Sequence, residues 1–133
     1  MAVDQVWEVL KQEMKSIGFG AGHSDASWNR ELSKALGINT VPSIVGVING
    51  RVYHFRGEYT LKNLREFIRK LIPAKLIIQV DQSNFNTTLY DAIAENKVLA
   101  VFGSFSSQVT LRYQMPCYIM SNNIKCVYIK LGE

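Results

Sequence analysis

The sequence predicts an α/β fold, a mixed sheet flanked by helices, and three observations carry that expectation. Ile44-Val45-Gly46-Val47-Ile48 is apolar without interruption, as a strand covered on both faces would be, which makes it central. Asn49-Gly50 follows it, a dipeptide that accepts positive φ at both central positions of a type I′ turn, so residues 51–55 return antiparallel beside it. Helical stripes stand on either side: Val3, Val6, Trp7, Leu10, Met14 and Ile17 before the hairpin, and Leu61, Leu64, Phe67, Ile68 and Leu71 after it.

Composition bounds the function. With 133 residues, 47% of them hydrophobic, the chain can bury one core or at most one and a half small domains. Its apolar runs have the length of strands, well short of the ~20 residues that cross a bilayer, and no leader pattern marks a signal peptide. A soluble segment is expected. The net charge of +4 is spread over helical positions such as Lys62, Arg65, Arg69 and Lys70 without interleaved aromatics, which argues against a nucleic-acid partner. Cys117 and Cys126 are too few for a disulfide framework and lack the spacing and histidine company of a metal site. No metal or cofactor is expected, and the two thiols do not fix the redox compartment.

Taken in order, the first stripe stops at Gly18, and residues 18–23 alternate Phe, Ala and His with glycine, as in a strand against which another element packs closely. Ser24 and Asp25 can cap a helix of about three turns carrying Trp28, Leu32, Ala35 and Leu36, with Gly37 just past its end. His23, without a partnered acid or nucleophile, reads as a solvent-facing residue. Pro42 cannot donate to a ladder and so opens the hairpin's first strand. Thr60 caps the next helix and Pro73 ends it.

The pattern then restarts. Residues 76–80 read as a strand, 81–86 as a polar turn, and Leu89, Ile93 and Ala94 as a helix ending near Lys97. Residues 98–102 form a second apolar strand, 103–107 a loop, 109–120 a helix interrupted by Pro116, and 124–131 a third strand. The order is β-α-β-α-β.

A proline-opened strand, a tight hairpin and a following helix resemble the closing half of a thioredoxin domain, and residues 74–133 resemble the opening half of another. Residues 1–73 are therefore expected to be the C-terminal part of one thioredoxin-like domain and residues 74–133 the N-terminal part of a second. On this reading the Cys-x-x-Cys of the first would lie upstream of Met1. Residues 42–50, 63–67 and 127–129 are similar to the thioredoxin-like region of endoplasmic-reticulum J-domain co-chaperones of the DnaJ subfamily C member sixteen type. The resemblance implies polypeptide clients, an Hsp70 recruited through a J domain outside this chain, a membrane anchor elsewhere in the full-length protein, and residence in the endoplasmic reticulum.

Thioredoxin chemistry needs a thiolate at a helix N-terminus and a second thiol about one turn on. Where the resemblance places that pair in the second unit, the chain reads Ser104-Phe105-Ser106-Ser107. A serine hydroxyl stays protonated near neutral pH, so the loop is a degenerate active site and no catalytic residue is expected. Ser106 has no His and acid placed to form a triad. Cys117, in a helix, and Cys126, in a strand, read as buried free thiols. The resemblance further implies a cis Val41-Pro42 bond and a peptide-binding turn formed by Thr40, Val41 and Pro42; the alternative is a turn that merely starts a strand. Asn86-Thr87-Thr88 fits the N-glycosylation acceptor pattern, relevant only in the secretory pathway.

Two architectures are open. Residues 98–102 could slot between 19–23 and 44–48 and complete one permuted sheet, the preferred arrangement because it leaves no edge along 44–48 unpaired. Otherwise two partial units form side by side. The function expected is a non-catalytic thioredoxin-like interaction module of a co-chaperone; the competing reading is a fragment of a thioredoxin or protein disulfide isomerase type oxidoreductase.

Overall fold

The computed structural model describes residues 3–132, which divide into two compact units, the first ending at Leu71 and the second beginning at Ile72. In the first unit α1 (Val3–Ser16) presents Val6, Leu10 and Met14, all buried, at the spacing of one helical face. They pack toward α3 (Leu61–Leu71), whose Leu64 is fully enclosed. Arg65 Nε donates to Glu13 Oε2 at 2.9 Å and ties the two helices at their exposed flank. Thr60 caps α3 as expected, its Oγ1 accepting the Asn63 N–H at 3.2 Å.

Between them lie α2 (Arg30–Ala35) and the hairpin β1 (Val45–Ile48) and β2 (Arg51–His54). The hairpin pairs antiparallel from Val45 with His54 to Ile48 with Arg51. Asn49 and Gly50 have φ of 52° and 74°, the left-handed values a type I′ turn demands. The edge-on contact of Phe55 with Phe67, centroids 5.4 Å apart, fixes the hairpin's exit against α3.

Three expectations for this unit are corrected. Residues 18–23 form no strand; a Cβ at Gly20 or Gly22 would meet nothing, so no element packs there. The second helix has six residues, not three turns. Asp25 is used in a turn just before it, accepting the Ser27 N–H at 2.8 Å, and Trp28 lies outside the helix, 86% exposed. Gly37 does end it, at φ 69°. Finally, β1 is neither central nor covered on both faces: its sheet has two strands and Val47 is 59% exposed.

The second unit has the expected β-α-β-α-β order. After a short 3₁₀ turn (Ala74–Leu76) come β3 (Ile77–Gln79), α4 (Phe85–Ala94), β4 (Val98–Ser104), α5 (Leu111–Ile119) and β5 (Ile124–Lys130). The helices are shorter than expected, by a few residues at the end of α4 and at both ends of α5. The sheet is parallel in the order β3-β5-β4, so the last strand lies in the middle. Its residues Cys126, Val127 and Tyr128 are consecutively buried, the signature of a strand covered on both faces. The preferred permuted sheet does not form: β4 pairs along seven residues with β5, and 45–48 pairs with 51–54.

α5 continues through Pro116, which forfeits only one backbone bond in this short helix. The Tyr113 hydroxyl lies 3.0 Å from the Ala100 carbonyl and 2.9 Å from that of Val127, donating between adjacent strands. Its ring stacks on Phe102 at 4.7 Å, and Phe102 on Tyr128 at 6.0 Å. Burial holds the Tyr113 phenol above its usual range.

Two measurements test this packing. Leu64→Ala is expected to destabilise the first unit by about 2–5 kcal/mol, read from urea unfolding. Because the folded-state pKa of Tyr113 is raised, its contribution to stability holds below the ordinary phenol value and fades as pH climbs through the folded one. An absorbance titration of the wild type should therefore show a late-ionising component that is missing in Tyr113→Phe.

Candidate functional site

The candidate site in the first unit is the turn between α2 and β1. Val41-Pro42 is cis, as expected. The turn is held by Ser43 Oγ donating to the Thr40 carbonyl and by the Tyr59 hydroxyl donating to the Pro42 carbonyl at 2.8 Å. With both carbonyls engaged, Val41 projects outward, its side chain 72% exposed. Its N–H has no hydrogen-bond partner among the described residues.

A groove of about 780 Å³ opens beside the turn. Trp7 of α1, Leu32 and Leu36 of α2, and Val41, Pro42 and Ile44 supply apolar walls, while Asp4, Glu8 and His23 add polar groups. The indole N–H of Trp7 is enclosed there without an acceptor among the described residues. Of the three residues expected to form a peptide-binding turn, Val41 and Pro42 line the groove and Thr40 does not. His23 is exposed, at the rim. The walls were missed in sequence because Trp7 and Leu32 belong to stripes that read simply as core-facing.

The serine loop belongs to the second unit, after β4. Ser104 Oγ accepts the Ser106 N–H and Ser106 Oγ accepts the Gln108 N–H, each at 3.1 Å, so both hydroxyls shape bends. Phe105 between them is 76% exposed. α5 starts only at Leu111, behind Thr110 as N-cap, so these serines do not sit on the first helical turn where a dipole would act on them.

The reading of two free thiols is overturned: Cys117 and Cys126 form a disulfide, Cα–Cα 6.0 Å, with both residues 3% exposed. The cause is the reversal between α5 and β5. Cys117 lies two residues before the end of the helix and Cys126 two residues into the strand, so folding the helix back over the strand brings them face to face. Equal distance from a helix-to-strand turn was the signal available in the sequence. Asn86 lies in the first turn of α4, exposed.

No protein-family model matches the chain. Compared with known proteins, it is 30% identical over 130 residues to DnaJ homolog subfamily C member 16 of Mus musculus, and 29% identical to that of Homo sapiens. The chain is thus similar, nearly end to end, to a segment of that J protein. Each match takes in 98% of this chain and 17% of the relative, so the chain spans about one sixth of the length of the curated relatives it matches. Among solved structures, a crystal structure of ERdj5 superposes on 96% of the chain and 18% of its own length, with a TM-score of 0.67 at 14% identity. The fold is thioredoxin-like, with open sheets. Among the described residues, no helix is long and apolar enough to cross a membrane.

The disulfide closes a short loop, and loss of that constraint should lower stability by about 2–3 kcal/mol. The double variant Cys117→Ala/Cys126→Ala is expected to show this in denaturant unfolding. Treatment of the wild type with reductant under native conditions should change little, because both sulfurs are shielded.

Proposed function

We propose that this chain is a non-catalytic thioredoxin-like interaction module of an endoplasmic-reticulum J-domain co-chaperone, and that Thr40, Val41 and Pro42 form the turn that receives extended polypeptide clients. One observation carries the reading: an apolar groove runs up to an exposed Val41 whose backbone donor is unpaired. An extended peptide can satisfy that donor by strand-like pairing while its side chains enter the groove. Recognition through backbone groups and apolar walls is tolerant of sequence, as client holding requires.

Residues 1–73 on this reading are the closing part of one thioredoxin-like domain and residues 74–133 the opening part of a second. Similarity to DnaJ homolog subfamily C member 16 supports recruitment of Hsp70 through a J domain, and a membrane anchor, elsewhere in a longer protein. The buried disulfide supports an oxidising lumen as its place of work. The Ser104, Phe105, Ser106 and Ser107 loop is a degenerate active site without exchangeable sulfur, and both cysteines are committed to each other.

Binding of a fluorescein-labelled, reduced and carboxymethylated polypeptide, followed by anisotropy, tests the turn. Val41→Asp should weaken binding at least tenfold, about 1.4 kcal/mol, with an unchanged circular dichroism spectrum. Equal affinity in the variant would remove the turn from the site. In an insulin-reduction assay this chain should show no turnover; turnover abolished by Cys117→Ala or Cys126→Ala would favour the oxidoreductase reading instead.

A further inference from the structure

We propose that Asn86 is an N-glycosylation site and that the first sugar of its glycan packs over the ring of Tyr90. Asn86-Thr87-Thr88 is the single Asn-x-Ser/Thr triplet in the sequence. Asn86 sits in the first turn of α4 with its side chain exposed. Tyr90, four residues on, is 69% exposed, and Ile93, seven on, is 65% exposed. These spacings put all three on one face of the helix, opposite the buried Thr88 and Ala92.

Tyr90 and Ile93 thus give this solvent-facing stripe two large side chains with apolar surface available to a covering group. Side chains on a helix lean toward its N-terminus, so the Tyr90 ring tilts over the turn that bears Asn86. The separation along the axis is about 6 Å, four residues at 1.5 Å each, within reach of an asparagine carrying one pyranose. The electron-rich ring face attracts the C–H groups on the apolar side of that pyranose.

The covalent step is a substitution. The Asn86 amide nitrogen forms a bond to the anomeric carbon of a lipid-pyrophosphate-linked oligosaccharide, and the bond from that carbon to the pyrophosphate oxygen breaks. Lipid pyrophosphate leaves, one amide proton passes to a base, and nothing is oxidised or reduced. In the folded chain Thr88 Oγ1 donates to the Asn84 carbonyl at 2.8 Å and is buried, so transfer takes place on the extended chain before α4 forms.

The proposal leans on the lumenal placement above only for whether the chain meets the transferase, and the test separates the two. The full 133-residue chain is expressed in human cells behind a cleavable secretion signal. One gel shift removed by peptide N-glycosidase is expected, retained in Thr88→Ser and lost in Asn86→Gln. A translocated chain, its signal removed, that carries no glycan overturns the site. A glycan on the translocated chain, removed by the glycosidase and absent from Asn86→Gln, supports the site. In NMR spectra of the glycoprotein, the acetamido methyl of the first sugar should move upfield in the ring current, keep that shift in Tyr90→Phe and lose it in Tyr90→Ala. The same shift in wild type and Tyr90→Ala overturns the packing.

Discussion

β5 is the element on which the second unit depends. It enters last in the chain yet lies between β3 and β4, so neither of those strands has a neighbour in the sheet until residues 124–130 are in place. Parallel strands must be covered on both faces, and Cys126 and Tyr128 on one side with Val127 on the other meet that demand by being buried. Two further links hold the strand: the disulfide joins it to α5, and Tyr113 reaches from the same helix to carbonyls of β4 and β5. Helix, strand and sheet centre are thereby one cooperative assembly.

What could be read in advance was what depends on local chemistry. Asn49-Gly50 has few alternatives to a tight turn, and the apolar stripes of α1 and α3 buried the residues their spacing indicated. Gly37 ended a helix for the same local reason. What depends on partners was harder to read. Alternation in residues 18–23 looks like a strand, but a strand exists only if another pairs with it, and none does. The apolar run at 44–48 signals burial, yet Val47 stays open in a two-stranded sheet. The pairing of the two cysteines depends on α5 folding back over β5, which neither residue's own neighbourhood announces.

The candidate site has the same division. The cis bond at Val41-Pro42 followed from a resemblance to thioredoxins, whereas the groove wall contributed by Trp7 comes from a helix some thirty-five residues earlier. Serines at 104, 106 and 107 were legible as the absence of sulfur; that two of their hydroxyls serve backbone bends was not. In chemical terms the chain's two cysteine sulfurs are locked in a buried staple.

β4 ends the sheet with seven residues whose outer backbone groups have no ladder partner among the described residues, and Val98 and Val101 on it are largely uncovered. Such a rim is a template for any extended chain. Handled at high concentration, the chain would be prone to grow by edge-to-edge annealing, and a lysine introduced into that rim would be the simplest means of keeping it monodisperse.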